Sequence, residues 1–368
     1  MKKESVAVIG GGTAGLIAAR SLSADGIITT VYDQKLVPGE GIHASGILSL
    51  TGLGTLGLDY TKAVTNTLRG ANIHANGRTM RIRARGAVAA VLDRKRLNEI
   101  CIDNAERAGT SIVTGKRIAR KELDALAEDS VIIGADGAVS TVAKHFGMGA
   151  APPYAITYKQ EYNVTMAEPD AADLFFDSRS WPGLFAWLCP NAKDVLEVGV
   201  GTTAHSVNSR HVLERFLRTK EVAEAIGKSR PICGGASIIP MARRERIVDP
   251  KREVLLVGDA AGQVKSTTGG GIIFGGNAAL MAADAIKGHI RNGLDLSAYE
   301  KKFMSRYGMD MKLHSMINRL YSSLGPESIG RIISMSKAIG MEGFLERYGD
   351  MDRPSLVIRR FFLRGLAD

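Results

Sequence analysis

The chain has 368 residues, 45% apolar and 23% charged, the composition of an ordinary folded protein with room for two or three packed units. Basic residues outnumber acidic ones by 48 to 38, and the resulting net charge of +10 suits an acidic protein or an anionic membrane surface; no nucleic-acid motif accompanies it. The three cysteines, Cys101, Cys189 and Cys233, form no CxxC pair, so neither a disulfide framework nor a metal site is expected.

Residues 5–9 read as a buried strand, 13–22 as a helix and 27–32 as a second strand ending at Asp33. No apolar leader precedes this opening, which places the chain in the cytoplasm as an expectation. A long glycine-containing loop is expected over 35–57. The runs 66–75 and 78–83 meet at Asn76-Gly77, a pair suited to the positive φ angles of a type I′ turn, and predict a hairpin. Asp93 is placed to cap a helix reaching Arg107, which Gly109 would end. Residues 130–135 read as another buried strand.

From 154 to 240 the pattern changes. Strand-like runs at 154–164, 173–176, 184–188, 195–200 and 236–239, broken by a polar helix over 209–219, predict an antiparallel sheet. A buried strand returns at 253–257 and a long helix at 271–289, and 297–368 reads as mostly helical. The most apolar stretch, 269–286, is glycine-rich and holds Asn277 and Asp284, which argues against a membrane span.

Two motifs carry chemistry. Gly10-Gly11-Gly12-Thr13-Ala14-Gly15 fits G-x-G-x-x-G between a strand and a helix. Gly10 permits the tight turn, Gly12 the approach of a pyrophosphate, and Gly15 close packing of helix on strand; Asp33 can accept from both ribose hydroxyls. The second motif lies far along the chain. Gly258 and Asp259 end a strand, and Gly269-Gly270-Gly271-Ile272 opens the next helix. Asp259 can accept from a ribityl chain, and the bare N–H groups of the glycine run can face a flavin pyrimidine carbonyl. NAD needs no second site at such a distance; FAD is long enough to use both. Gln34, Arg94 and Asp136 complete the expected cofactor set.

The predicted fold is α/β: a Rossmann-like FAD-binding domain over 1–65, 86–150 and 251–296, an inserted antiparallel-sheet substrate domain over 66–85 and 151–250, and a helical C-terminal region over 297–368.

The segment 134–140, with Asp136-Gly137, resembles the Asp-Gly fingerprint of the aromatic hydroxylase and related flavoprotein superfamily. Many hydroxylases follow it with an arginine; here Ala143, next to Lys144, takes that place. The segment 182–190 resembles the substrate-cavity motif of the geranylgeranyl reductase family, usually Tyr-x-Trp-x-Phe-Pro. The segments 258–272 and 348–355 resemble further parts of that family. The resemblance implies a flavin-dependent reductase of isoprenoid carbon–carbon double bonds in membrane lipids or their precursors. It implies a cavity lined by Phe185, Trp187, Leu188 and Pro190, an isoprenoid or lipid substrate, and an electron donor such as ferredoxin or NADPH. Phe185 stands where the family has Tyr, Cys189 where it has Phe, and Ser266 where proline is frequent. Ala44 occupies a place that often holds a cysteine near the flavin, which leaves His43 or Ser45 to deliver a proton. The basic and apolar run 355–366 reads as a closing helix; the alternative is an amphipathic helix resting on the inner face of the membrane. A monooxygenase on the same scaffold and a non-catalytic flavin or lipid binder are the competing readings.

Overall fold

Short valine and isoleucine runs that are buried throughout belong in a parallel sheet covered on both faces. Ser5–Ile9 is such a strand, flanked in parallel by Ile28–Tyr32 on one side and Ser130–Gly134 on the other. Ser111–Val113 extends the sheet beyond Ile28–Tyr32, and Val254–Leu256 beyond Ser130–Gly134, again in parallel. Val248–Asp249 closes that edge as the one antiparallel strand. The helix Thr13–Ser23 packs between Arg94–Arg107 and Ile272–Asn292. The computed structural model describes residues 3–41 and 44–364.

The second sheet has seven strands in the order Pro231–Pro240, Tyr154–Asn163, Val195–Thr202, Ala186–Ala192, Ala171–Phe175, Gly70–Ala75 and Arg78–Arg83. It is antiparallel except where Ala171–Phe175 meets Gly70–Ala75 in parallel, which corrects the all-antiparallel expectation. The parallel pair arises because the early hairpin joins the edge of strands formed from a later stretch. Asn76 and Gly77 have φ of 47° and 70°, as a type I′ turn requires. The helix expected over 209–219 is two, Ser209–Leu217 and Lys220–Ile226, which cover one sheet face over Tyr162, Leu188, Leu196 and Val198.

A third, small sheet joins Ile47–Ser49, Ala89–Leu92 and Val64–Leu68. The expected loop over 35–57 therefore contains a strand, followed by the short helix Leu50–Leu53. The single strand expected over 66–75 is split at Arg69 between two sheets. Gly70 enters the larger one so close to its neighbour that a Cβ would lie 1.8 Å from the Ile82 carbonyl oxygen. The strands Ala89–Leu92 and Ser111–Val113 and the helices Arg120–Asp129 and Thr141–His145 escaped the sequence reading.

Helices Ala298–Ser323, Pro326–Ala338, Met341–Tyr348 and Pro354–Arg364 form the C-terminal region. Among the described residues, no helix is long and apolar enough to cross a membrane. The turn before the last helix reaches back to the core. Asp352 is buried and accepts a 2.6 Å bond from the buried Lys265 ammonium, while its other oxygen accepts from Ser49. His314 joins this knot through the Asp352 carbonyl at 3.1 Å and Thr267 at 2.7 Å, and its burial lowers the imidazole pKa. Breaking such a pair strands a charge out of water. Asp352→Ala should therefore cost about 3–5 kcal/mol of stability, and Ser49→Ala only about 1 kcal/mol, as read by urea unfolding.

Candidate functional site

The first glycine turn divides its labour as its spacing predicts. Gly10 has φ of +110°, and a Cβ there would sit 2.3 Å from the Ala135 carbonyl oxygen. A Cβ at Gly15 would sit 2.1 Å from the Gly10 carbonyl oxygen. Both glycines are thus filled against backbone. Gly12 differs, because a Cβ there would meet nothing within 4 Å. It is the N-cap of Thr13–Ser23 with no side-chain cap, so free N–H groups face open space, the cradle a phosphate needs. Asp33 is buried beside it; one carboxylate oxygen accepts from Gly11 N at 2.7 Å and the other from Lys35 N at 2.8 Å. Gln34 is exposed next to it.

The second turn touches the first. A Cβ on Gly258, whose φ is +63°, would lie 3.0 Å from the Ala14 Cβ. A Cβ on Gly275, in the first turns of Ile272–Asn292, would lie 2.9 Å from the Gly258 Cα. Two motifs far apart in sequence therefore meet at the start of two helices. Asp259 lies against Gly271, with its Oδ1 2.9 Å from where a Cβ would be. Burial pushes the Asp259 carboxyl up to about 6, and the Arg94 guanidinium pulls against that rise. Burial likewise draws Arg94 down to about 10, opposed by Asp259 and Cys101. Gly269 has φ of +74° and rests on Ile239 of the second sheet.

Among the described residues, two buried polar atoms here have no partner, Arg94 Nε and Asn98 Oδ1. They stand four residues apart on one helix, a single face, and the Asn98 amide also reaches the Gly11 carbonyl at 3.4 Å. Unpaired groups beside an open glycine cradle fit a polar, phosphate-bearing cofactor. Asp136 is placed differently. Its oxygens accept from Ser140 Oγ at 2.6 Å, Thr141 N at 2.6 Å and Val142 N at 3.1 Å, so it organises its own loop; burial nonetheless raises its pKa against those bonds.

The second sheet brings Phe185 and Trp187 into a cluster against which Ile239, the residue under Gly269, also packs. Both aromatic residues are buried in that cluster with Leu68, Val91 and Met241, and their rings meet edge-on at 6.0 Å. Gly199 makes room, since a Cβ there would fall 2.2 Å from the Trp187 ring. Leu188 cannot line the same cavity, contrary to the sequence reading. Side chains alternate along a strand, and Leu188 points into the opposite core beneath Ser209–Leu217. Pro190 pairs with Leu196 on that same side.

Ser45 is held by Gly46, which packs so tightly on Ala89–Leu92 that a Cβ would lie 2.0 Å from the Leu92 carbonyl oxygen. Its hydroxyl donates to Glu197. Glu197 also accepts from the Trp187 indole at 2.7 Å and from Lys159 Nζ at 2.6 Å. The sequence reading missed Glu197 and Lys159; the available signal was a lone acid inside an apolar strand. His43 lies outside the described residues. Among the described residues, no group of three or more His, Cys, Asp or Glu is arranged to hold a metal.

The nested parallel sheet, the inserted sheet and the joined turns define a flavin-binding oxidoreductase scaffold. A p-nitrophenol 4-monooxygenase from Pseudomonas putida shares the fold at TM-score 0.70 and 16% identity, covering 91% of this chain and 93% of that one. A geranylgeranyl bacteriochlorophyll reductase-like protein from Thermoplasma acidophilum shares it at TM-score 0.81 and 19% identity, covering 98% and 96%. Within that class the chain is similar to geranylgeranyl reductases over most of its length, as its motifs led us to expect. It is 26% identical to digeranylgeranylglycerophospholipid reductase 2 of Methanothermobacter thermautotrophicus, over 95% of this chain and 98% of that protein. It is 29% identical to geranylgeranyl diphosphate reductase of Synechocystis, over 86% and 84%. An uncharacterized protein of Methanocaldococcus jannaschii is 27% identical over 95% and 92%. No protein-family model matches the chain.

Two glycines of the first turn, Gly10 and Gly12, separate folding from binding. Gly12→Asp introduces a favoured N-cap residue into open space, so thermal stability should hold or rise, while its carboxylate repels a phosphate and flavin uptake falls at least about tenfold. Gly10→Ala should destabilise by about 2 kcal/mol or more in the flavin-free protein. Calorimetry and flavin absorbance after dialysis distinguish the two effects.

Proposed function

We propose that the protein binds FAD and reduces carbon–carbon double bonds of a geranylgeranyl chain in a membrane lipid or its precursor. The observation that carries this reading is the contact of Gly258 with Ala14, which joins two phosphate- and flavin-suited helix starts, while Gly269 of the second turn rests on Ile239, a residue packed against the Phe185–Trp187 cluster. Gly12, Thr13 and the N–H groups of their turn would hold the pyrophosphate, with Arg94 and Asn98 supplying further partners. Asp33 would accept from the adenosine ribose. Asp259 would accept from the ribityl chain, and Gly269, Gly270, Gly271 and Ile272 would edge the flavin ring. When bound and reduced, FAD supplies a hydride.

The chain's own residues supply position and proton. Phe185 and Trp187 make an apolar wall suited to an isoprenoid and exclude water from it. Ser45, between that wall and the small sheet, holds a hydroxyl proton that can pass to the second alkene carbon. The electron donor is a reduced carrier such as ferredoxin, which a net charge of +10 would attract, or NADPH.

A lipid substrate calls for access to a membrane surface. The helix Pro354–Arg364 leaves Phe362 at 67% and Leu363 at 54% exposure, beside Arg359 and Arg360. The same helix packs on Ala298–Ser323 and Met341–Tyr348, as a closing helix would, with Phe361 edge-on against Phe344 at 5.3 Å. Met309, Met316 and Leu320 add an exposed stripe on Ala298–Ser323. These features support docking of the C-terminal region on anionic lipid.

The decisive assay is anaerobic. Dithionite-reduced protein mixed with geranylgeranyl lipid should reoxidise its flavin and yield a product heavier by two hydrogens per reduced bond. A flavin that stays reduced with no saturated product rejects the proposal. Substrate-stimulated NADPH oxidation with oxygen uptake would support a monooxygenase, and absence of any cycling a binding protein. In vesicle co-sedimentation, Phe362→Asp should weaken binding to anionic vesicles roughly threefold or more and leave the fold intact.

A further inference from the structure

The inserted sheet carries charge where the Phe185–Trp187 face would otherwise be apolar. Glu197 is 1% exposed and Lys159 is 8% exposed. Register explains their meeting: Glu197 pairs with Glu161 on one neighbouring strand and with Cys189 on the other, while Lys159 and Trp187 both pair with Gly199, one side-chain row along. Lys159 Nζ donates to Glu197 at 2.6 Å and to Glu161 at 3.0 Å. Burial pulls the Lys159 ammonium toward neutrality, and its two carboxylate partners outweigh that pull and hold it charged. Asn191 also donates to Glu161, at 3.1 Å.

Solvent contact is graded along this chain. The side chains of Glu161, Lys159 and Glu197 are 18%, 10% and 2% exposed, in that order toward Ser45. A buried ion pair is a poor device for stability, since apolar residues of the same volume do as well or better. A connected line of exchangeable protons from near the surface to the cavity wall has a different use.

We propose that Glu161, Lys159 and Glu197 form a proton relay that resupplies Ser45 during alkene reduction. The inference rests on the reductase reading above. For each double bond reduced, a bound reduced flavin would supply the electron pair as hydride and would be left oxidised. The O–H bond of Ser45 breaks as a C–H bond forms on the other carbon. Lys159 gives a proton to Glu197 Oε2, and rotation of that carboxyl group presents the proton to Ser45, restoring its hydroxyl. Lys159 then regains a proton from solvent by way of Glu161. The relay moves protons only. The groups facing it are Cys189, the exposed Cys233 near Glu161, Asn191, and Trp187, whose indole N–H donates to Glu197 at 2.7 Å.

The test compares single turnovers of the flavin-loaded, dithionite-reduced protein with geranylgeranyl lipid. Lys159→Ala should slow flavin reoxidation at least about tenfold, Glu197→Gln similarly and Glu161→Gln less, and ammonium or methylamine should restore much of the Lys159→Ala rate. The double variant Lys159→Met/Glu197→Leu removes the two most buried charges of the three together, so that neither is stranded, and leaves Glu161, the most exposed, to solvent. It should be as stable as the parent yet remain slow. A double variant that turns over at the parent rate overturns the relay and leaves the reductase reading standing. A parent protein that makes no saturated product overturns both. Without flavin, Trp187 emission in a Trp181→Phe background should shift on Glu197→Gln as the carboxylate beside the indole loses its charge; unchanged emission overturns the contact on which the relay depends.

Discussion

One constraint governs this molecule: two helices must begin at nearly the same place. Thr13–Ser23 and Ile272–Asn292 bring their first turns together around Gly258, which separates Ala14 from Gly275 by little more than one backbone thickness. Helix starts carry partial positive charge and unpaired N–H groups, so bringing two together is unfavourable in an empty protein. An anionic group between or beside them relieves both problems. Any anionic ligand seated there would be linked to folding, because whatever binds only the folded chain stabilises it by mass action.

The inserted sheet converts that binding geometry into a candidate reaction chamber. Its two faces do different work, set by the period-two alternation of side chains. Leu188, Leu196 and Val198 pack beneath the helices, while Phe185 and Trp187 cluster on the other side with Leu68, Val91 and Met241. Glycine is the enabling residue on the working face, since Gly199 alone leaves room for the indole. Placing Glu197 and Lys159 among these rings gives an otherwise apolar wall one polar path through it, and ties Ser45 to the same support.

The turns that make up the proposed cofactor end were legible in the sequence because their bonds are local. A glycine run between a strand and a helix has few alternative explanations, and Asp33 and Asp93 stand at strand and helix boundaries where their bonds are made nearby. The substrate side was legible only in part. Trp187 marked the right strand, but Leu188 was assigned to the cavity because a motif read as a string ignores alternation. The Lys159–Glu197 pair joins residues 38 apart, and the Lys265–Asp352 pair joins residues 87 apart. Such partners emerge only from register and docking, which no short window contains. Asp136 shows the converse: a motif residue whose visible bonds all serve its own turn.

The Ser49–Asp352 bond spans 303 positions of sequence and sits in the same knot as the loop that opens the long helix Ile272–Asn292. During synthesis the N-terminal sheet can begin to pair early, but this knot stays untied until residue 352 has emerged. A nascent chain therefore displays the first glycine cradle long before the loop over 262–271 is fastened. A ligand that needs both turns would meet a half-made seat throughout translation, and its final seating would be a step of maturation.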